Sequence, residues 1–252
     1  MMTIYGVTLI LGLLFGSFFN VCIYRIPRGE SIVFPGSHCP HCSHDLKPWH
    51  NIPVVSFLCL QGKCRFCQTP ISWRYPFVEI LTAAFFLVVV HTYSLTWETF
   101  AYLLLTSALI VISFIDFDHQ LIPDKISLPG IIVGFAVSFL LPLRWYDSLL
   151  GILIGGGVIW AVGIVGEWIF KKEAMGGGDV KLMAMIGAFL GWKAALLTIF
   201  FASIIGAVIG IIMRLITGKE YLPFGPFLSV GAFLSLLWGE QFLLWYWGLI
   251  VP

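Results

Sequence analysis

The chain has 252 residues, of which 59% are apolar, 16% aromatic and only 11% charged. This composition excludes an ordinary soluble domain, which carries about a quarter charged residues, because the apolar residues here fall into long blocks with almost no charge. The formal net charge of +1 argues against nucleic acid as a main partner. Several blocks reach the roughly 20 residues that a helix needs to cross a bilayer, so we predict an integral membrane protein.

The first apolar block, residues 4–23, is predicted to be a retained transmembrane helix within a first element of residues 1–24. It has no basic segment before it and no A-x-A-like cleavage site, so a secretory signal is not expected. Gly12, Gly16 and Asn20 suit close packing against another helix.

A polar stretch, residues 25–75, follows this helix and contains two CxxC pairs separated by 21 residues. Four thiolates in this arrangement can close a tetrahedron around Zn²⁺, and an all-cysteine set leaves no open coordination position. Thiols stay reduced in the cytoplasm, so disulfides are not expected there. We therefore predict a small cytoplasmic zinc-binding insertion with a structural metal held by Cys39, Cys42, Cys64 and Cys67.

The other thiols and imidazoles near this stretch are predicted not to bind metal. Cys22 and Cys59 have no partner at suitable spacing and are expected to be buried small apolar side chains. The histidines can substitute as ligands, but they are more typical of polar loop residues: His38, His41, His44 and His50.

Seven apolar blocks follow the polar stretch, so the predicted fold class is an all-α polytopic membrane protein with about eight transmembrane helices. One block, 182–191, is too short to cross alone at about 1.5 Å per residue, and neighbouring helices or a thinned membrane must help it. Together these blocks make residues 76–252 the main membrane domain. In chain order they are 77–91, 100–115, 126–141, 149–170, 182–191, 194–216 and 224–238.

The basic residues predict the orientation of the chain. If the polar stretch is cytoplasmic, all but Arg144 and Lys193 of the 14 Lys and Arg fall on the same side. This asymmetry is what the positive-inside rule demands. Eight spans then place both termini on the outer side.

Aspartates lie at the predicted cytoplasmic edge of two spans. Asp116 and Asp118 come at the end of the third span, and Asp179 follows the glycines 176–178 just before the sixth. Ionisable groups in spanning segments are costly and usually mark function, and glycines without a Cβ let a substrate backbone approach closely. Two aspartates that share a proton can activate a water and protonate a scissile carbonyl, so an aspartyl protease is indicated.

Spacing alone leaves a structural interpretation of these aspartates open. Near a membrane boundary an aspartate can be solvated or can cap a helix. Asp124 fits the N-cap of the fourth helix, and Asp179 can cap the sixth in the same way. Asp118 is two positions from Asp116, so the two point to different faces of a helix.

Several motifs, spread over nearly the whole chain, resemble the type IV prepilin peptidase family, the leader peptidases with N-methyltransferase activity. In addition to the two CxxC pairs and the segment 116–123, they are GSFFNVCIYRIP at 16–27, RYPFVE at 74–79, GGGD at 176–179 and PFGPF at 223–227. In that family the first aspartate of the first catalytic motif and the aspartate of GxGD are catalytic. The resemblance therefore selects Asp116 and Asp179 as the pair.

The resemblance also implies the substrate and the location. The family cleaves type IV prepilins and type II secretion pseudopilins after a glycine, between a basic leader and an apolar helix. We therefore expect a multi-pass protein of the bacterial cytoplasmic membrane, with its polar domain and active site on the cytoplasmic side.

A second activity, methylation of the new N-terminus with S-adenosylmethionine, rests on the resemblance alone. No strand followed by a glycine-rich turn of nucleotide-binding type occurs. If the activity is present, the residues to consider lie in the polar domain and at the first membrane junction, although Arg25 can be an interfacial anchor and Gly62 a turn residue. They are Asn20, Arg25, Gly62, Lys63 and Glu79.

Three other functions fit part of the sequence pattern. An ion-coupled transporter or channel can use edge aspartates, but transport sites tend to lie near the midplane of the membrane. A membrane scaffold with a zinc module leaves the glycine–aspartate motif unexplained. A peptidase without methyl transfer is the third, and the intact cysteine quartet favours the bifunctional form.

Overall fold

The protein is described by a computed structural model, which covers residues 2–171, 175–217 and 222–250. Within these ranges the named secondary-structure elements are all helices, and the predicted all-α class is confirmed. The polar stretch adds only two isolated β-bridges. A 3-10 turn, Pro48–Asn51, precedes the short second helix. The helices are α1 (Met2–Arg25), α2 (Val55–Cys59), α3 (Arg74–Tyr93), α4 (Trp97–His119), α5 (Asp124–Ser138), α6 (Trp145–Phe170), α7 (Gly177–Thr217) and α8 (Gly225–Ile250).

Six of the described helices are long and apolar enough to cross a membrane: α1, α3, α4, α6, α7 and α8. This indicates a multi-pass membrane protein. The predicted fourth span corresponds to α5, which has 15 residues and contains Pro129. It is shorter than the roughly 20 residues needed to cross, so the number of eight spans stays a prediction.

Helix α7 accounts for two of the predicted spans. Its 41 residues would extend about 60 Å if straight, twice the hydrocarbon thickness. Gly191, at φ 78° and ψ 172°, interrupts the helical backbone. A Cβ placed on Gly155 of α6 would lie 2.9 Å from the Met183 carbonyl oxygen and 3.4 Å from the Ala195 Cβ. In a straight helix Met183 and Ala195, which are twelve residues apart, would be separated by about 18 Å along the axis. Because both lie against Gly155, α7 folds back on itself at Gly191.

The chain forms two compact units, one up to Leu95 and the other from Thr96 onward. In the first unit, α3 packs along α1 at backbone contact. A Cβ on Gly12 would lie 2.5 Å from the Ala83 Cα, and one on Gly16 would lie 2.6 Å from the Glu79 Cα. The expectation that these two glycines serve close helix packing is confirmed, and the partner is α3, which sequence reasoning grouped with the domain that follows.

The second unit has its core around the first half of α7. Leu182, Met183, Met185 and Ile186 are all fully buried, so this half-helix is enclosed on every side. Against α6 the approach is closest at Gly187, where a Cβ would lie 2.0 Å from the Gly151 carbonyl oxygen. This packing holds the N-terminus of α7 among the ends of other helices of the same unit.

Candidate active site

Four helix ends meet in the second unit: the C-terminal end of α4 and the N-terminal ends of α5, α7 and α8. The Gly225 amide donates to Asp116 Oδ2 over 2.9 Å and joins α8 to α4. Lys181 Nζ of α7 lies 2.7 Å from Asp124 Oδ1 of α5. These contacts bring together the two sequence motifs that contain Asp116 and Asp179.

Asp116 lies in the last turn of α4 and is only 5% exposed. Its carbonyl oxygen accepts the amide of Gln120, a left-handed residue that ends the helix. The C-terminal end of a helix is unfavourable for an anion, whereas the Gly225 N–H at the start of α8 is favourable. A Cβ on Gly225 would lie 2.6 Å from Asp116 Oδ2, so a glycine is required there.

Asp179 is the third residue of α7 and is 9% exposed. Its amide donates to the Gly176 carbonyl oxygen over 3.1 Å. The preceding residue, Gly178, packs against Ile122 of the segment that follows Asp116, since a Cβ on Gly178 would lie 2.9 Å from the Ile122 Cβ. The negative charges of Asp116 and Asp179 oppose each other. The two buried carboxylates therefore share one environment, although they are 63 positions apart in the sequence.

The neighbouring aspartates differ from this pair. Asp118 is exposed, as expected for a residue two positions from Asp116 on a helix. The predicted N-cap role of Asp124 was wrong, because Pro123 occupies the cap and Asp124 is the first helical residue. Its carboxylate binds Lys181 instead, a partner 57 residues away that local spacing cannot reveal.

The four knuckle cysteines form a cluster in the first unit. Their Sγ atoms all lie within 4.8 Å of one another, and those of Cys39 and Cys67 are 3.8 Å apart. Four Zn–S bonds of about 2.3 Å in a tetrahedron place the sulfurs about 3.8 Å apart, so the arrangement fits a metal of this kind. The predicted cluster is confirmed, and it can hold a metal ion.

The two knuckles have the same backbone turn. Cys39 accepts the amide of Ser43 and donates its own amide to His44, while Cys64 pairs with Gln68 and Thr69 in the same way. Ser43 and Gln68 both have positive φ, 55° and 57°. Each turn thus points both sulfurs of its pair towards one side.

One thiol of the cluster is held close to its metal-binding form. The Thr69 hydroxyl lies 3.3 Å from the Cys67 sulfur. Hydrogen bonds from this hydroxyl and from the Thr69 amide lower the pKa of Cys67 to about 6. The thiolate, which is the form that binds metals, is therefore favoured at neutral pH.

The histidines and the remaining cysteines lie outside the cluster. His44 and His50 pack on Phe66, with ring centroids 3.6 and 5.7 Å away, which supports the expectation that they are not ligands. Cys22 is buried as expected. Cys59 is exposed, so its predicted burial was wrong: α2 is a single short helix with Phe57 as its buried residue.

A cavity of about 500 Å³ lies in the first unit, between the ends of α1 and α3 and the knuckle loops. This volume falls within the range of small-molecule sites, about 300–1,000 Å³. Asn20, Arg25 and Glu79 line it. Gly62 and Lys63 do not, and Gly62 has the positive φ of a turn, 69°, as the structural interpretation predicts.

Two of the cavity residues also hold the unit together. The Asn20 side chain donates to the Tyr75 carbonyl oxygen over 3.1 Å and ties α1 to α3. The Arg25 guanidinium, 7% exposed, donates to the carbonyl oxygens of Ser31 and Gly36 over 2.9 and 3.1 Å. Arg25 is therefore buried in the loop that follows α1 and is more than an interfacial anchor.

Family models match the chain in two parts. Residues 10–93 match the Bacterial Peptidase A24 N-terminal domain, and residues 103–211 match the Type IV leader peptidase family. The chain belongs to the type IV leader peptidase family. The predicted resemblance is thereby confirmed. The gap between the two matches contains the boundary between the compact units of this leader peptidase.

Curated relatives of this leader peptidase carry the name prepilin leader peptidase/N-methyltransferase. The protein from Pseudomonas aeruginosa is 40% identical over 93% of this chain and 90% of the relative. The protein from Neisseria gonorrhoeae is 40% identical over 89% of this chain and 87% of the relative. The protein from Myxococcus xanthus is 44% identical over 83% of this chain and 63% of the relative. No solved structure matches.

Proposed function

We propose that this leader peptidase cleaves type IV prepilins and pseudopilins after the glycine of their leader and methylates the new N-terminus. The relatives' names support both activities. The main support for the cleavage activity is that Asp116 and Asp179 are two buried, interacting carboxylates at the place where four helix ends converge. Family membership leaves the transporter and scaffold alternatives without support.

The chemistry follows from the shared environment of the two carboxylates. Two such groups cannot readily both ionise, so they share one proton. The Gly225 N–H stabilises a carboxylate on Asp116, which makes it the base that takes a proton from water. Asp179 then protonates the carbonyl oxygen of the scissile peptide bond. As the tetrahedral intermediate collapses and its C–N bond breaks, Asp116 gives the proton it took from water to the leaving amine, and the hydroxyl formed from the carbonyl oxygen returns its proton to Asp179. No covalent enzyme intermediate is required.

The helix-end position of this pair suits the substrate. A prepilin changes from a basic leader to an apolar helix, and this junction lies at the edge of the bilayer. We place the active site and the polar stretch on the cytoplasmic side of the bacterial inner membrane, on the basis of the asymmetry of the Lys and Arg residues.

The two other groups that the function involves have candidate places in the first unit. Zn²⁺ would be held by all four knuckle cysteines and would supply structural stability, since the closed set leaves no open coordination position. S-adenosylmethionine would occupy the knuckle side of the cavity in the first unit, whose volume of about 500 Å³ suits a small molecule, and would supply the methyl group.

Cleavage of a prepilin in lipid or detergent tests the proposal. Asp116→Asn and Asp179→Asn are each expected to lower the rate by about 10²- to 10⁴-fold, the range that a general acid or base contributes. Asp118→Asn is the matched control, because Asp118 lies two residues after Asp116 on the same helix but is exposed. It is expected to cut at nearly the wild-type rate.

The outcomes separate the alternatives. Single variants that are folded but inactive support the pair. Variants that still cut show that the pair is wrong. If the wild-type protein cuts no prepilin, the peptidase proposal is wrong, and transport is the next function to test.

A further inference from the structure

The cavity of the first unit contains a buried carboxylate, Glu79, which is 6% exposed. The Val54 amide donates to its Oε2 over 2.7 Å, and the Ser17 hydroxyl donates to the same carboxylate. Both donors are neutral. The buried cation of the same cavity, Arg25, donates to loop carbonyl oxygens instead. A buried carboxylate is costly unless a positive charge compensates it, so Glu79 favours a cationic ligand.

Glu79 lies on the membrane side of this cavity. Its backbone packs on Gly16, nine residues before the end of α1, which is about 13 Å along the helix axis. The opposite side of the cavity is formed by the knuckles, with Cys39 and Cys64 among its lining residues. A cation at the end of an apolar segment would therefore meet Glu79 on the membrane side of the cavity, which leaves the knuckle side for a polar small molecule.

We propose that Glu79 binds the α-ammonium group of the cleaved pilin and acts as the general base of its methylation, an inference that rests on the methyl transfer proposed above. After cleavage the new N-terminus is an ammonium group at the end of an apolar helix. This ammonium group has the positive charge that compensates the Glu79 carboxylate. At the end of an apolar helix it would also lie at the same depth as Glu79.

The reaction requires such a base. The α-ammonium has no lone pair, and with a pKa of about 7.7–8.0 it is mostly protonated at neutral pH. Glu79 takes one proton from it, and the freed lone pair of the nitrogen attacks the methyl carbon of the sulfonium cosubstrate. The N–C bond forms, the C–S bond breaks, and its electron pair stays on sulfur as a neutral thioether. The products are a methylated ammonium and a protonated Glu79, so charge and atoms balance.

Other titratable groups share the cavity, and the test must separate Glu79 from them. Apart from the two knuckles and the adjoining His38, they come from α1, from the loops and from α3. They are Tyr24, Arg25, Glu30, His50, Arg65 and Tyr75. Glu79 is the buried carboxylate of this set, since Glu30 is exposed.

The experiment uses the full-length protein in lipid with a prepilin and S-adenosylmethionine, and compares wild type with Glu79→Gln. Three quantities are measured: leader cleavage, the mass gain of one methyl group on the mature pilin, and S-adenosylmethionine binding by equilibrium dialysis. We expect cleavage and cosubstrate binding to stay within about twofold of wild type. Methylation should fall by about 10²-fold or more, the usual contribution of a general base.

A pH profile distinguishes a base from a merely structural residue. In Glu79→Gln the residual methylation rate should rise about sevenfold between pH 6.5 and 7.5 and level off only near pH 9, as solvent deprotonates the amine. Glu79→Asp keeps a carboxylate and should recover part of the rate without this dependence. Glu98→Gln, in the second unit, makes the same substitution outside the cavity and should match wild type.

Each outcome decides the matter. Wild-type methylation by Glu79→Gln, or loss of cosubstrate binding in that variant, overturns the proposal, the latter in favour of a cofactor ligand. Loss of cleavage together with methylation indicates a folding defect, and the Glu79→Asp result then decides: if it is folded and methylates no better than Glu79→Gln, the base assignment is wrong. A wild-type protein that cleaves but never methylates removes the methyl transfer itself.

Discussion

The two compact units differ in how much buried apolar core stabilises each of them. In the polar part of the first unit, residues 26–73, the buried apolar side chains among those whose burial is described are Pro53, Phe57 and the two knuckle cysteines Cys39 and Cys64. In the second unit the first half of α7 alone buries Leu182 and Met183 completely, together with several neighbours. A segment of about 50 residues with so small a core needs another source of stability, such as a metal.

The two units also differ in the local structure that positions the side chains of their sites. The carboxylates of the second unit are positioned by helix ends that glycine contacts pack tightly. The cysteine cluster of the first unit is positioned by two matching turns, and the cavity beside it depends on those turns. Disturbing the metal should therefore affect one unit, and disturbing glycine packing the other.

The largest effect is expected for Cys64→Ser. It removes a buried ligand of the cluster, and structural zinc contributes about 10–16 kcal/mol to the folding of small zinc domains. We expect zinc to be lost and the polar stretch to become sensitive to protease, with methylation abolished and prepilin cleavage retained. Metal analysis and limited proteolysis measure this.

Cys59→Ser is the control for that variant, because Cys59 is exposed and lies outside the cluster. It should keep its zinc. Normal zinc content in purified Cys64→Ser protein would contradict the structural role of the metal, and loss of cleavage would contradict the independence of the two units.

An intermediate effect is expected within the glycine run before Asp179. A Cβ on Gly178 would lie 2.9 Å from the Ile122 Cβ, whereas one on Gly177 meets no atom within 4 Å. Gly178→Ala should destabilise the unit by about 1–3 kcal/mol through overpacking, and the shift of the adjacent Asp179 should slow cleavage at least about tenfold. Gly177→Ala should lose clearly less, as measured by kcat on a prepilin and by thermal unfolding.

Equal losses in the two alanine variants would show that the run serves the approach of the substrate backbone and that its packing against Ile122 is secondary. A greater loss in Gly177→Ala would lead to the same conclusion.

The smallest effect is expected for the ion pair of Lys181 and Asp124. Their side chains are 39% and 54% exposed, and such pairs contribute about 0–1 kcal/mol. Lys181→Met should therefore lower the thermal midpoint only slightly more than Lys125→Met, which removes an exposed lysine of α5. A loss of several kcal/mol for Lys181→Met alone would show that this pair stabilises the convergence of helix ends.

Much of the site was predictable because its signals are local. Apolar blocks of sufficient length predict helices in a bilayer, and two CxxC pairs predict a four-sulfur cluster, because both depend on the residue types within a short window. Helical periodicity also predicted that Asp116 and Asp118 point to different faces, and the family resemblance selected Asp116 of the two. The break in α7 was anticipated, since the predicted block 182–191 ends at Gly191 and the next block begins at residue 194.

The sequence by itself thus determined the helical class, the cysteine cluster and the candidate aspartates. Only the tertiary structure decided which glycine N–H binds Asp116, that Lys181 takes Asp124 away from the helix cap, and that Glu79 lies in a cavity beside Val54. These contacts join residues 25 to 109 positions apart. Their partners depend on how whole helices pack, and no local pattern of residues encodes that packing.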